Sequence, residues 1–446
     1  MKKYCASLVL LLVSSLILPS AYSQTGLEAA ASVTLEPVTD FTFDDFFIQR
    51  TLRIDYTMAG DYQGETVYLE KMKQEPNWAG PHRHMIDPFD AGTYRYAVYD
   101  SLTGKLIYTR GFCNLFEEWQ GTPEAKKTRR SFQQTAILPF PKQVIRFEID
   151  KRRYEDGKFA PIFQDYINPN DYFIYRNTPK QYPFVKFREA GDPSFCVDVA
   201  FVAEGYTAAE MPKFLDDAKR IGDYFMSVAP YSEFSGSFNM YAIEAPSDES
   251  GVDIPGTGVY VNTDVHSTFY TFDMDRYLTC SETWAVYDIA ASVPYDAIFI
   301  LVNSKRYGGG GFYNHMCEGT VDNPLSKIVA VHEFGHAFAG LADEYYTSEV
   351  TYSDFYNLKV EPWEANITTN VNFDSKWKGM ILPGTPIPTP REDKYKDVVG
   401  MFEGGGYCAK GIYSPMMDCR MKSNEAPGFC PVCRERIRNV ILYYCE

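Results

Sequence analysis

The spacing of apolar and polar positions changes character near residue 184. Before it, short stretches alternate with a period of two, as in Thr51-Leu-Arg-Ile-Asp-Tyr56, Thr93-Tyr-Arg-Tyr-Ala-Val-Tyr99 and Gln143-Val-Ile-Arg-Phe-Glu-Ile149. Successive side chains of a strand point to opposite faces, so each stretch predicts a strand with one apolar face. Turn signals such as Ala59-Gly-Asp61 and Ser101-Leu-Thr-Gly104 separate them. This pattern predicts an all-β sandwich over residues 24–167. A polar, aromatic and proline-bearing stretch, residues 168–183, follows as a connection. From 184 to 446 mainly apolar strands alternate with helical patterns, which predicts an α/β (α+β) domain. Strands are expected at Cys196–Val202, Phe238–Ile243 and Tyr295–Asn303, and helices at Ala208–Met226 and Arg276–Val293. Tyr295–Asn303 runs into Tyr307-Gly-Gly-Gly-Gly-Phe312. Those glycines suit either a flexible turn or the close approach of another backbone.

Composition sets outer bounds. The 446 residues are 45% hydrophobic and 16% aromatic, enough for a large core and two or three domains. The formal net charge of -16 argues against a nucleic-acid binder and against polybasic attachment to a membrane surface. Residues 1–23 have the pattern of an export signal. Lys2 and Lys3 precede the apolar run Leu8–Leu18, and Ala21-Tyr-Ser23 is a small-x-small cleavage site. The run is too short to span a bilayer, so the expectation is a secreted or periplasmic protein with no integral membrane segment after cleavage. Of ten cysteines, nine follow the cleavage site, and Cys408, Cys419, Cys430, Cys433 and Cys445 crowd the C-terminus. Cys430-Pro-Val-Cys433 has metal-ligand spacing, but in an exported chain disulfides are the expected use. Two loops are weaker metal candidates. His82 and His84, flanked by Pro and Gly, are expected to be exposed to solvent. Ser247–Asp253 carries carboxylates without the full spacing of a calcium loop and is expected to be a turn.

The chemistry concentrates in Val331-His-Glu-Phe-Gly-His-Ala-Phe-Ala-Gly-Leu-Ala-Asp-Glu-Tyr345, which holds two of only six histidines. Asn323-Pro324 reads as a helix start, and Gly340 is placed to end the helix. On that helix His332 and His336, four residues apart, share one face and suit a zinc ion, with Glu333 beside them to work on a water. A catalytic zinc takes three protein ligands. Asp343 is preferred as the third for its reach after the turn at Gly340, with Glu344 and His315 as rivals.

The segment His332–Tyr345 resembles the IgA-peptidase family of zinc metallopeptidases, which are metzincin-like. Other stretches fit that family in order: Val202-Ala-Glu-Gly-Tyr-Thr207; Leu301-Val-Asn-Ser304 with Tyr307-Gly-Gly; Gly400-Met-Phe-Glu-Gly-Gly-Gly-Tyr407; Tyr413-Ser-Pro-Met-Met-Asp-Cys-Arg-Met421; and Phe429-Cys-Pro-Val-Cys433. The β-rich front half resembles the N-terminal domain that often precedes this peptidase domain. The resemblance implies a zincin-like catalytic domain over residues 184–446 and hydrolysis of protein or peptide substrates. It implies Zn2+ held by His332, His336 and Asp343, with Glu333 as general base. It also implies a methionine beneath the metal, Met416 or Met417, with Met416 preferred because Pro415 fixes the turn. The chain departs from the usual metzincin spacing, since Gly340 lies four residues past His336 where three is common. Tyr345, Tyr407 and Tyr413 are candidate oxyanion donors with no choice among them. In a peptidase, the glycine run could pair with an extended substrate. Two other functions stand beside a protein-cleaving enzyme: an amidase acting on bacterial wall peptides, and an adhesion or binding protein that keeps the fold without activity. An intact Glu333 argues against the latter.

Overall fold

The computed structural model describes residues 40–177, 179–346 and 355–446, so the expected export signal lies outside the described residues. Helix α1 (Phe43–Phe46) leads into β1 (Phe47–Asp61), β2 (Gly64–Glu75), β3 (Tyr94–Asp100) and β4 (Leu106–Phe112). Helix α2 (Leu115–Gln120), β5 (Arg130–Pro141), β6 (Ile145–Arg152), β7 (Phe159–Ile167) and β8 (Ile174–Tyr175) complete the front half. These strands form two four-stranded sheets, ordered β5-β1-β2-β8 and β4-β3-β6-β7. Leu52, Ile54, Tyr56 and Met58 of β1 are fully buried and share one apolar core with Tyr96 and Val98 of β3 and Phe147 and Ile149 of β6. The period-two pattern therefore marks the faces that two sheets turn toward each other. The connecting stretch 168–183 is not wholly irregular, because β8 within it pairs in parallel with Met72 and Lys73 of β2.

Alternation also implies that the other face of β1 meets water, and there the structure differs. Thr51, Arg53 and Asp55 are buried as well. Helix α4 (Thr283–Ala290) covers them: the Arg53 guanidinium bonds Asp288 at 2.7 Å and the Trp284 carbonyl at 3.0 Å, and Asp55 at 2.7 Å. A charge with no exposed surface persists only when paired this fully. The front sheets are thereby held against the back half through ion pairs as well as apolar contact.

The back half is built on a six-stranded sheet ordered β15-β16-β14-β10-β11-β9. Its members are β9 (Phe184–Arg188), β10 (Val197–Glu204), β11 (Phe238–Ile243), β14 (Ala297–Val302), β15 (Gly309–Phe312) and β16 (Met316–Thr320). The four central strands are parallel, and the two edges, β9 and β15, are antiparallel. Parallel strands covered on both faces carry continuous apolar runs. Thus Val197, Val199, Phe201 and Ala203 of β10 enter one core with α3 (Met211–Phe225), α5 (Ser326–Ala339) and α6 (Pro431–Cys445), while Ala200 and Val202 enter another with α4. Two short ribbons, β12 (Ser267–Thr268) with β13 (Thr279–Cys280) and β17 (Phe402–Gly405) with β18 (Cys408–Ser414), frame the cleft side.

Several expectations need correction. The helix expected over Arg276–Val293 is confined to α4; ahead of it Tyr277 bridges Gly309, and Thr279 pairs with Thr268. Open backbone at the edge of the sheet captured residues that a helical pattern alone assigns elsewhere. The helix expected from Ala208 begins at Met211, after a 3-10 turn (Ala208–Glu210) closed by Glu210 accepting from the Thr207 N–H at 2.9 Å and hydroxyl at 2.8 Å. His82 and His84 are packed rather than solvent-facing: His82 stacks on Phe43 at 4.1 Å and His84 on Tyr443 at 5.7 Å. The expected disulfides are not formed, since all nine described cysteines are free thiols. Among the described residues no helix is long and apolar enough to cross a membrane.

Candidate active site

Helix α5 carries the candidate residues, and its start differs from the expected one. Asn323 does not cap the helix directly. Its side chain accepts from Leu325 N at 3.0 Å and its carbonyl from Ser326 N at 3.0 Å, forming a turn that delivers the chain to α5 two residues after Pro324. Val331, Phe334 and Phe338 point into the core, which leaves His332, Glu333 and His336 on the cleft face. At Gly335 the back of the helix is so tightly packed that an added Cβ would lie 2.8 Å from the Met421 sulfur. Met421, fully buried, packs against the back of this helix. Met416, which sequence favoured, is partly buried and packs against the same core.

Gly340 ends α5 in the left-handed region at φ 61°, where the Gly340 N–H donates to the His336 carbonyl at 2.9 Å and the Leu341 N–H to that of Gly335 at 3.2 Å. A side chain there would meet Trp363 at 2.8 Å. The turn sends the chain back beside its own helix. The Leu341 carbonyl then accepts from His336 Nδ1 at 2.6 Å, and the Arg420 carbonyl accepts from His332 Nδ1 at 3.0 Å. With each Nδ1 proton so engaged, both Nε2 lone pairs face the cleft.

There they meet one carboxylate. His332 Nε2 and His336 Nε2 are 3.1 Å apart, and Asp343 Oδ1 lies 3.1 Å from the first and 3.3 Å from the second. A cation bound about 2.0–2.1 Å from each of three tetrahedral ligands would space them about 3.3 Å apart. Oδ1 of Asp343 is buried and has no hydrogen-bond partner, whereas Oδ2 accepts from the Tyr407 hydroxyl at 2.5 Å. A buried carboxylate oxygen aimed at two imidazole lone pairs fits a metal ion well. The cluster attracts positive charge. Burial disfavours a charged His336, yet the Asp343 carboxylate raises its pKa to about 9. Burial likewise works against an ionised Asp343, but His336 and His332 hold it well below the usual carboxylate range.

Glu333 sits between these ligands and strand β15. Burial raises its pKa, opposed by the two histidines. A Cβ added at Gly309 would come within 2.8 Å of the Glu333 side chain, and one at Gly311 within 2.4 Å of its carbonyl. Gly309 and Gly311 are therefore required by the close approach of α5, whereas a Cβ at Gly308 or Gly310 would meet the Arg276 or Leu278 carbonyl at 2.6 Å. Its outer edge is partly occupied, because Leu278 N approaches the Gly309 carbonyl at 3.5 Å. The cleft, about 400 Å³, is also lined by Arg276, Tyr277, Tyr307, Tyr345, Tyr407 and, from the front half, Glu118. Tyr277 donates to Glu118 at 2.5 Å, which links the front half to the rim.

Of the residues singled out in sequence, the structure brings His332, His336, Asp343 and Glu333 together. Glu344 turns away and is bonded by Asn366 at 3.0 Å. His315 is hydrogen-bonded with Tyr287 at 3.2 Å, and burial pushes its pKa down to about 4. Tyr345 and Tyr407 line the cleft, and Tyr413 does not. Sequence reasoning missed Arg276, Glu118 and the bond from Tyr407 to Asp343. No local signal marks the first two, which reach the cleft from distant segments.

Family models match most of the chain. That described as IgA Peptidase M64 matches residues 185–396 and 391–441, and that described as Peptidase M64 N-terminus matches residues 42–164. No curated protein sequence matches the chain at a significant level.

Proposed function

The chain belongs to the IgA peptidase M64 family and is a metallopeptidase, and on that premise we propose that it is an exported zinc endopeptidase with a zincin-like catalytic domain. It joins an N-terminal domain to an α+β peptidase domain, and its substrates are proteins or peptides. The observation that carries the reading is the triangle of His332 Nε2, His336 Nε2 and Asp343 Oδ1 beside Glu333 in an open cleft. Nitrogen and oxygen donors at this spacing, with one side facing the cleft, match a catalytic zinc that keeps a position for substrate. Zinc held there would polarise the scissile carbonyl and make a water acidic near neutral pH.

The protein residues divide the remaining work. Glu333, half-buried in a position that raises its pKa, takes the proton of the attacking water and passes it to the leaving amine. Tyr407 holds the second oxygen of Asp343, so that Oδ1 keeps its aim. Gly309, Gly310 and Gly311 keep the wall beside Glu333 free of side chains. Export rests on the pattern of residues 1–23, which precedes the matched regions.

The test is a cleavage-site profile on a diverse peptide library, with and without a chelator. The reading expects internal cuts in extended peptides, abolished by the chelator and restored by zinc. Cleavage confined to wall-derived peptides would replace the substrate class. Cleavage insensitive to chelation would overturn the mechanism.

A further inference from the structure

We propose that Cys419, Cys430, Cys433 and Glu344 form a second metal site, closed to solvent and suited to one zinc ion in a structural role. The four side chains come from three separate places in the chain and converge within the core: their ligand atoms all lie within 4.8 Å of one another, and all four residues are buried. Cys419 Sγ and Cys433 Sγ are 3.8 Å apart, and Cys433 Sγ lies 3.3 Å from Glu344 Oε1. A disulfide needs about 2.05 Å between sulfurs. Two thiolates each about 2.3 Å from one tetrahedral zinc stand about 3.8 Å apart, and a thiolate and a carboxylate oxygen about 3.5 Å.

The backbone is arranged for thiolates. Cys430 caps the N-terminus of α6, and its sulfur faces the Cys433 N–H at 3.5 Å. The Cys430 N–H in turn donates to Cys419 Sγ at 3.2 Å. Glu344 supplies the independent observation. It has no exposed surface, and its Oε2 finds no hydrogen-bond partner among the described residues. Lys422 donates to the Glu344 backbone carbonyl at 3.0 Å. Asn366 bonds Oε1 at 3.0 Å, so a disulfide between any two of the cysteines would still leave Oε2 buried and unbonded, whereas a cation satisfies all four groups. Thiolate sulfur selects a soft or borderline ion such as zinc over magnesium or calcium. Full burial leaves no position for substrate, the mark of a structural site.

The site would also act as a strut for the cleft. Glu344 adjoins Asp343, and Cys419 adjoins Arg420, whose carbonyl orients His332. Binding at the cysteines fixes both segments where the histidine cluster needs them. The proposal stands on its own donor set and does not depend on the histidine site holding zinc.

The experiment measures zinc per chain in the full chain purified with zinc, for the native protein, for the double variant His332→Ala/His336→Ala and for Cys430→Ser/Cys433→Ser. His332→Ala/His336→Ala is expected to lose one zinc and keep one, and Cys430→Ser/Cys433→Ser to lose one and hold the other less tightly. X-ray absorption at the zinc edge on His332→Ala/His336→Ala isolates the second site without disturbing its cysteines, so the test survives if the serine variant fails to fold. A sulfur shell at about 2.3 Å supports the proposal. No retained zinc in that variant, a first shell of nitrogen and oxygen alone, or a mapped disulfide involving Cys419, Cys430 or Cys433 would overturn it. A native protein with a single, sulfur-bound zinc would keep this site and sink the catalytic reading instead.

Discussion

Asp343 and Glu344 are consecutive buried carboxylates with opposite surroundings. Asp343 points to the cleft, where two imidazoles hold its pKa well below the carboxylate range against the effect of burial. Glu344 points into the core, where burial and the Cys419 thiol push its pKa well above that range. Desolvation acts on both acids in the same sense. Their partners decide the outcome: imidazoles that take up a proton and become cationic on one side, and on the other a thiol that adds negative charge, only partly offset by Asn366 and Lys422. One peptide step thus joins a cluster open to substrate with a cluster closed to it, and neither acid can be moved without straining the other.

The largest expected effect comes from breaking that division. Asp343→Ala removes a ligand and should lower zinc affinity at the histidine site by more than the ~10–100-fold typical of a supporting hydrogen bond. Glu344→Ala should spare that affinity by comparison and instead lower the thermal midpoint of the holoprotein. Metal titration and unfolding of the two variants, side by side, check this. The opposite ranking in the titration would make Glu344 the third ligand.

A smaller change sharpens the same contrast. Tyr407→Phe deletes the 2.5 Å bond to Asp343 Oδ2 and leaves the ring in place. Zinc affinity or hydrolysis should fall by about 10–100-fold, with the fold retained. An unchanged variant would mean that Gly340 and the backbone alone aim Asp343.

The gentlest probe is pH. In the metal-free protein His336 binds its proton with a pKa near 9, and zinc needs the neutral ring. Zinc must displace that proton below pH 9, so apparent affinity should rise by up to about tenfold per pH unit and level off above it. Competition with a chelator of known pH dependence reads the slope. A flat profile between pH 6 and 9 would show that His336 is already neutral.

The sequence made some of this visible and hid the rest for physical reasons. His332, Glu333 and His336 are legible because a helix repeats every 3.6 residues, so their spacing alone places them together. Gly340 is legible because a left-handed residue ends a helix most readily as glycine, and that stop gives Asp343 its way back. The alternation in β1 marked the sandwich core, but its second buried face depends on α4, more than 200 residues away. The same limit hid the contact of Met421 with Gly335, which depends on the path of a loop. The cysteines were read as disulfide partners from compartment alone. Their convergence on Glu344 spans 75 residues or more of chain and has no local pattern. His82 and His84 looked exposed because their loop is rich in Pro and Gly, yet aromatic rings distant in sequence cover them.

The most direct test of the catalytic account is Glu333→Gln, assayed for bound zinc and for peptide hydrolysis on the same preparation. Glutamine keeps the shape beside Gly309 and cannot accept the proton. The account predicts zinc at the native level with hydrolysis reduced by at least about 100-fold, the scale of a lost general base. Zinc retained with hydrolysis within a few-fold of the native rate would contradict it.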